Sequence, residues 1–260
     1  MKVLVTGVGG QLGHDVMNEL AKRNFECIGT DIQESSLLFD DYIKCDITDE
    51  NAVEKIILKI KPDAIIHCAA WTKVDDAEDD DKRELVKRIN VDGTQNIANA
   101  CKKIDCKMMY ISTDYVFNGE GDKPWNPDCN DYSPLNVYGE TKLGGEFAVM
   151  NTLDKFFIVR IAWVFGINGK NFIKTMLMLA VKGYKELKVV DDQIGTPTYT
   201  YDLARLLVDM IVTDKYGKYH ATNEGGYISW ADFAAEKFKQ ANKNVIVIGI
   251  STAEYGISKA

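Results

Sequence analysis

Tyr138 and Lys142 stand four residues apart in a segment that opens Ser133-Pro134. Ser133 is a candidate N-cap and Pro134 suits a first helical position, so the segment reads as a helix start with the phenol and the ammonium on one face. A cation beside a phenol favours the phenolate and brings into working range a proton that ordinarily leaves near pH ~10. A tyrosine so placed can protonate a carbonyl oxygen that is gaining negative charge. The spacing by itself is commonplace and describes a surface helix equally well. Thr113 follows the strand-like run at 107–112 and adds a hydroxyl able to hydrogen-bond the same oxygen; its plainer role is a strand-end cap.

A second group of residues gives that chemistry a partner. Gly7, Gly10 and Gly13 punctuate Thr6-Gly7-Val8-Gly9-Gly10-Gln11-Leu12-Gly13, directly after an apolar run. The pattern suits a strand that turns sharply into a helix, with no Cβ where backbone meets phosphate, and with Gln11 and Leu12 at a helix start facing the anion. A plain turn is the alternative. Asp31, eighteen residues beyond Gly13, closes the next strand-like run, where a carboxylate accepts hydrogen bonds from ribose hydroxyls and repels a 2′-phosphate. NADH is therefore the expected cofactor, with NADPH open because Lys22 and Arg23 can approach from the helix end. Asp46-Ile47 and Ala69-Ala70 follow later strands, where the adenine and nicotinamide halves would pass.

The elements that must position these residues alternate. Strands are expected at 2–6, 26–30, 41–45, 64–69, 107–112 and 156–162, and helices around Leu12/Val16/Leu20, at 51–60, 81–103 and 143–150. Several strands are apolar on both faces, as parallel strands between helical layers are. The fold class is α/β, a doubly wound Rossmann-type parallel sheet, with a dinucleotide-binding domain over 1–165. Helical spacing at 172–181, 203–211 and 229–241 and strands near 219–221 and 245–250 suggest a smaller substrate-binding lobe over 166–260, interleaved with the first.

Composition narrows the partners. A net charge of −8 with basic residues scattered among acidic ones disfavours nucleic acid. No apolar run reaches the ~20 residues of a membrane span, and a strand at 2–5 takes the place of a signal peptide, so a cytoplasmic protein is expected. The six cysteines show no C-x-x-C pair and read as buried free thiols. The acidic run Asp75–Asp81 reads as a solvated face leading into a helix rather than a cation site, and His14 and His67 as structural. No metal is expected.

Separate motifs carry a family resemblance: GVGGQLG (7–13), HCAAWTKVDDAE (67–78), INVDGTQNIA (89–98), STDYVFNG (112–119), SPLNVYGETKLGGE (133–146), RIAWVFG (160–166), NFIKTML (171–177) and DDQIGTPT (191–198). On these the chain resembles the extended short-chain dehydrogenases, and within them the dTDP-4-dehydrorhamnose reductases. The resemblance implies a nucleotide-sugar substrate whose 4-keto group is reduced by NAD(P)H, the product being dTDP-L-rhamnose. It implies Tyr138 as proton donor, Lys142 at the nicotinamide ribose, and Thr113, Asp114 and Trp163 at the sugar. Related dehydratases carry Thr-Asp-Glu where this chain has Thr113-Asp114-Tyr115, so reduction is favoured over elimination of water. Trp163 offers a flat face for a sugar, with core packing as its alternative.

The resemblance has departures. The family generally continues with a segment rich in Arg, Pro and Asn where this chain has Gly256-Ile257-Ser258-Lys259-Ala260, so part of the pocket is expected to be missing. Asp15 matches one acidic position that holds Mg²⁺ at a homodimer interface in some members, without the others. A homodimer is compatible with the family. Reduction or epimerisation of another nucleotide sugar stays open, as does a non-catalytic dinucleotide-binding regulatory subunit like that of methionine adenosyltransferase.

Overall fold

Parallel strands need crossovers, and the alternation of β-branched runs with amphipathic helices supplies them. A computed structural model describes residues 1–34 and 39–256, so the expected departure at 257–260 lies outside the described residues. The first part runs β1 (Lys2–Thr6), α1 (Gln11–Lys22), β2 (Glu26–Asp31), β3 (Tyr42–Lys44), α2 (Glu50–Ile60), β4 (Ala64–His67), α3 (Arg83–Lys87), α4 (Gly93–Ile104), β5 (Lys107–Thr113), α5 (Val137–Met150) and β6 (Phe156–Ile161). There follow β7 (Val164–Phe165), α6 (Phe172–Val181), β8 (Glu186–Val190), β9 (Ile194–Gly195), β10 (Thr198–Tyr199), α7 (Thr200–Ile211), β11 (Gly217–His220), β12 (Ile228–Ser229), α8 (Trp230–Gln240), β13 (Ile246–Ile250) and α9 (Thr252–Tyr255).

The large sheet has seven strands in the order β11-β6-β5-β4-β1-β2-β3, each pair parallel. This is the doubly wound Rossmann-type sheet expected from the sequence. Its order reverses between β1 and β4, where the carboxyl ends of an open α/β sheet leave a crevice. One face is covered by α1 and α7, around Val3, Val16, Leu20, Leu207 and Val208. The other is covered by α2 and α4, around Leu4, Val53, Ile57, Ile97 and Tyr110. Beyond residue 166 the chain contributes to both parts: β11 extends the large sheet and α7 packs on α1, while β8 pairs with β13 beneath α8 around Val189, Ala234 and Phe238.

The structure corrects three sequence expectations. The helix expected at 81–103 is α3 and α4 joined by a π turn at Arg88–Asp92, which turns Asn90 inward. Ser133 and Pro134 do not start α5. Ser133 donates its backbone N–H to the Val116 carbonyl, and the cap is Asn136, whose side chain accepts from the Gly139 amide at 2.7 Å. Cys68 and Ala69 fall outside β4, because the chain bends there to meet Gly7. β8, Glu-Leu-Lys-Val-Val, escaped prediction because polar residues break its apolar run.

Candidate active site

β1 runs into the glycine loop at the sheet's switch point. Gly7 takes φ +71°, and a Cβ there would lie 2.6 Å from the Ala69 amide nitrogen; a Cβ on Gly13 would lie 2.3 Å from the Gly7 carbonyl oxygen. Only glycine allows α1 and the β4 end to close this tightly around the turn. α1 then starts at Gly10 with no side-chain cap and no acidic residue in its first turn. By contrast α2, α5, α6 and α8 are capped by Asp49, Asn136, Asn171 and Ser229. The bare, partially positive end of α1 is suited to an anion. Gln11 and Leu12 lie in that first turn; Leu12 is a core side chain, so only its backbone faces outward.

Asp31 stands beside the loop, its carboxylate accepting from the Gly9 amide at 2.9 Å and from the Ile32 amide at 2.8 Å. Ala69 donates its amide to Thr6 Oγ1, and Ala70 follows it toward the crevice. Asp46 closes its own turn by accepting from the Thr48 amide and hydroxyl, and Ile47 is a core residue packed near Gly93.

α5 brings the phenol and the ammonium to the end of β5. Lys142 is 2% exposed, donates from Nζ to the Ile111 carbonyl at 2.7 Å and stands 4.1 Å over the Tyr110 ring. Burial pulls its pKa down to about 7, against which the charge of Glu146 acts. Thr113 is a polar neighbour of the Tyr138 phenol, and Lys142 follows one turn later on α5 with its ammonium held by β5. Burial raises the Tyr138 phenol well above its ordinary value, and the nearby Thr113 hydroxyl acts against that rise. Thr113 also donates to Asp114 at 3.1 Å. Asp114 keeps a solvent-facing side, yet protein crowds it enough to push its carboxyl up to about 6. Tyr115 sets its ring edge-on to Tyr138, at 5.7 Å.

Trp163 sits apart from this trio. Its backbone takes φ 49°, unusual for a bulky side chain. The ring stacks on Trp230 at 3.6 Å, and a Cβ on Gly195 would fall 2.5 Å from it. The flat face expected for a sugar is thus packed against Trp230.

Comparisons with known proteins show the family. A family model described as the RmlD substrate binding domain matches residues 1–259. The chain belongs to this family. It is 39% identical to the dTDP-4-dehydrorhamnose reductase of Aggregatibacter actinomycetemcomitans, over 98% of this chain and 86% of that one. It is 36% identical to the spore coat polysaccharide biosynthesis protein SpsK of Bacillus subtilis, over 98% and 84%. The crystal structure of dTDP-4-dehydrorhamnose reductase from Bacillus anthracis in complex with NADP is similar with a TM-score of 0.91 and 40% identity, covering 100% of this chain and 87% of that one.

Several residues that shape the site in this RmlD-type chain escaped sequence reasoning. Asn90 accepts from the Trp71 amide at 2.8 Å and donates to Thr141 Oγ1 at 3.0 Å, tying the β4 loop to α5. The Asn within INVDGT was visible; the π turn that aims it was not. Glu78 accepts from the Val137 amide at 2.7 Å, so the acidic run, read as a solvated face, also helps to cap α5. Asn168 donates to the Gly9 and Gly10 carbonyls at 3.1 and 3.0 Å, and Asn171 to Gln11 Oε1 at 2.9 Å, fastening the β7–α6 loop onto the glycine loop. Asp15 accepts from the Thr200 hydroxyl. His67 lies buried between Thr6 and Thr94, and burial lowers its pKa to about 3. Among the described residues, no three His, Cys, Asp or Glu side chains form a group able to hold a metal ion, and no helix is long and apolar enough to cross a membrane.

Proposed function

We propose that the chain is an NAD(P)H-dependent reductase that converts the 4-keto group of dTDP-4-dehydro-L-rhamnose to the alcohol of dTDP-L-rhamnose. The observation that carries this is the convergence of Thr113, Tyr138 and Lys142 at the carboxyl ends of the strands, beside a helix start left bare for a pyrophosphate. The relatives named dTDP-4-dehydrorhamnose reductase and the NADP complex of one of them support the substrate and the cofactor.

The glycine loop fits a dinucleotide: Gly7, Gly10 and Gly13 let it close tightly between β1 and α1, and the amides of Gln11 and Leu12 at the uncapped helix start would face the phosphates. Asp31 stands where the adenosine ribose would lie, with Asp46, Ile47, Ala69 and Ala70 along the remaining path. The reduced nicotinamide supplies the hydride. Thr113 and Tyr138 hold the substrate carbonyl oxygen between two hydroxyls, Tyr138 gives it a proton, and the Lys142 ammonium favours the phenolate left behind. Asp114 lines the same end of β5 and is available to a sugar hydroxyl. Tyr115, where dehydratases have a carboxylate, supports reduction alone. In this reading the part after residue 166 receives the sugar, with Trp163 contributing an edge unless Trp230 moves. The charged metabolites involved place the reaction in the cytoplasm, and a homodimer is compatible with it.

The test is loss of NADH or NADPH absorbance on adding enzymatically prepared dTDP-4-dehydro-L-rhamnose, with Tyr138→Phe run in parallel. Oxidation is expected, reduced ~10²–10⁴-fold in the variant. Intact cofactor binding with no oxidation would overturn the reading.

A further inference from the structure

Glu146 and Arg160 form an ion pair that the reaction above does not use. Both side chains are 0% exposed, and the guanidinium forks onto the carboxylate at 2.8 and 2.7 Å. Burying two charges is costly, and well-packed apolar residues in their place are often as stable, so such a pair invites a functional account. Its remaining valences are met. Ser112 Oγ donates to Glu146 at 2.5 Å, and Arg160 donates to the Tyr132 hydroxyl at 3.1 Å and the Pro127 carbonyl at 3.2 Å.

The position of the carboxylate supplies that account. Tyr138, Lys142 and Glu146 recur every four residues along one stripe of α5, and three consecutive residues of β5 receive them. Thr113 neighbours Tyr138, the Ile111 carbonyl takes the Lys142 ammonium, and Ser112 bonds Glu146. Lys142 is faced by His67 and Cys68 from the β4 end, Tyr110 from β5, and Glu146 from its own helix, with Tyr138 one turn before it on α5. Burial keeps His67 and Cys68 neutral, at about 3 and about 12, which leaves the Glu146–Arg160 ion pair as the charged neighbour of Lys142. Asp114 lies beyond Tyr138.

We propose that Glu146 is a positioning residue of this site: it pins the end of β5 against α5 and shares its one negative charge between two buried cations, Arg160, which it binds directly, and the Lys142 ammonium. The inference rests on the reductase reading for its consequence, though not for its measurement. Without that charge, burial would leave Lys142 neutral over more of the working pH range, and the proton-giving Tyr138 would lose its cationic neighbour.

The test follows Lys142 directly, through the ¹³Cε shift of lysine-labelled protein, assigned with Lys142→Arg. In Glu146→Gln the titration midpoint should fall by about one pH unit, as removal of a neighbouring opposite charge predicts. The alkaline limb of kcat/KM should fall with it, while the KM for NADPH stays within about twofold. Glu146→Asp should restore much of the midpoint. Should Glu146→Gln not fold with Arg160 left unpaired, Glu146→Gln/Arg160→Met removes both charges; its midpoint should still fall, though by less than in Glu146→Gln, since Glu146 acts on Lys142 directly and the lost Arg160 cation works the other way. An unchanged Lys142 midpoint in whichever variant folds overturns the proposal. A shifted midpoint in a chain that oxidises no cofactor would instead leave the coupling standing and remove the reductase reading.

Discussion

α5 buries two charged side chains, Lys142 at 2% and Glu146 at 0% exposure, while α6, with the largely apolar sequence FIKTMLMLAV, has no fully buried residue. Hydrophobicity does not separate them. α5 lies deep because Gly139, Gly144 and Gly145 let it approach Tyr115, Val91 and Tyr110 more closely than any larger residue could. Its charges are tolerated there because each has partners: the Ile111 carbonyl and the Tyr110 ring for Lys142, and Arg160 and Ser112 for Glu146. α6 lies at the rim of the smaller lobe and packs mainly against α8. Depth in this molecule follows close approach around the chemistry, and apolar composition is a poor guide to it.

The sharpest way to break this comparison is Lys142→Met. Activity should fall ~10²–10⁴-fold. Thermal stability should move the other way. The folded-state pKa of about 7 lies below the ordinary 10.5, so the folded protein resists the proton; the penalty is complete below pH 7 and fades as pH rises toward 10.5. Paired melting curves at pH 6 and pH 10 should show the variant's advantage narrowing at the higher pH. A constant gap would mean that Lys142 carries no such penalty.

Gly145→Ala probes the close approach itself. Its Cβ would lie 2.2 Å from the Tyr110 hydroxyl and 2.8 Å from the Asn90 carbonyl, with no flexible end to yield on the backbone side. Urea unfolding should show a loss of ~1–3 kcal/mol, the range of an overpacked core. The smallest effect is expected on α6, where Val181 and Met178 are 76% and 46% exposed. Val181→Ser and Met178→Ser should each change stability by no more than ~0.5 kcal/mol. A larger loss would show that α6 is covered in solution.

Legibility from sequence divided along the same line. The parallel strands, the glycine loop and the Tyr138–Lys142 stripe were readable because each is a local pattern with a fixed period or a required residue type. Asn136 displaced Ser133 as the cap because the choice depended on where the chain from Val116 crosses, a tertiary contact. The π turn at Arg88–Asp92 was hidden for a similar reason, since its sequence continues a helical period while packing forces the extra residue. Trp163 was legible as an aromatic near the site; that Trp230, sixty-seven residues later, would stack on it was not. Glu146 and Arg160 were both within quoted motifs, and only the fold joins them.

The bonds from Asn168 and Asn171 make the glycine loop and the start of α1 a jointly owned part, anchored from a segment some 160 positions later in the chain. Mutagenesis aimed at changing cofactor preference, if confined to the first two strands, would therefore leave the loop's fastening untouched. A library that pairs Asp31 with positions 166–171 samples the loop and its fastening together.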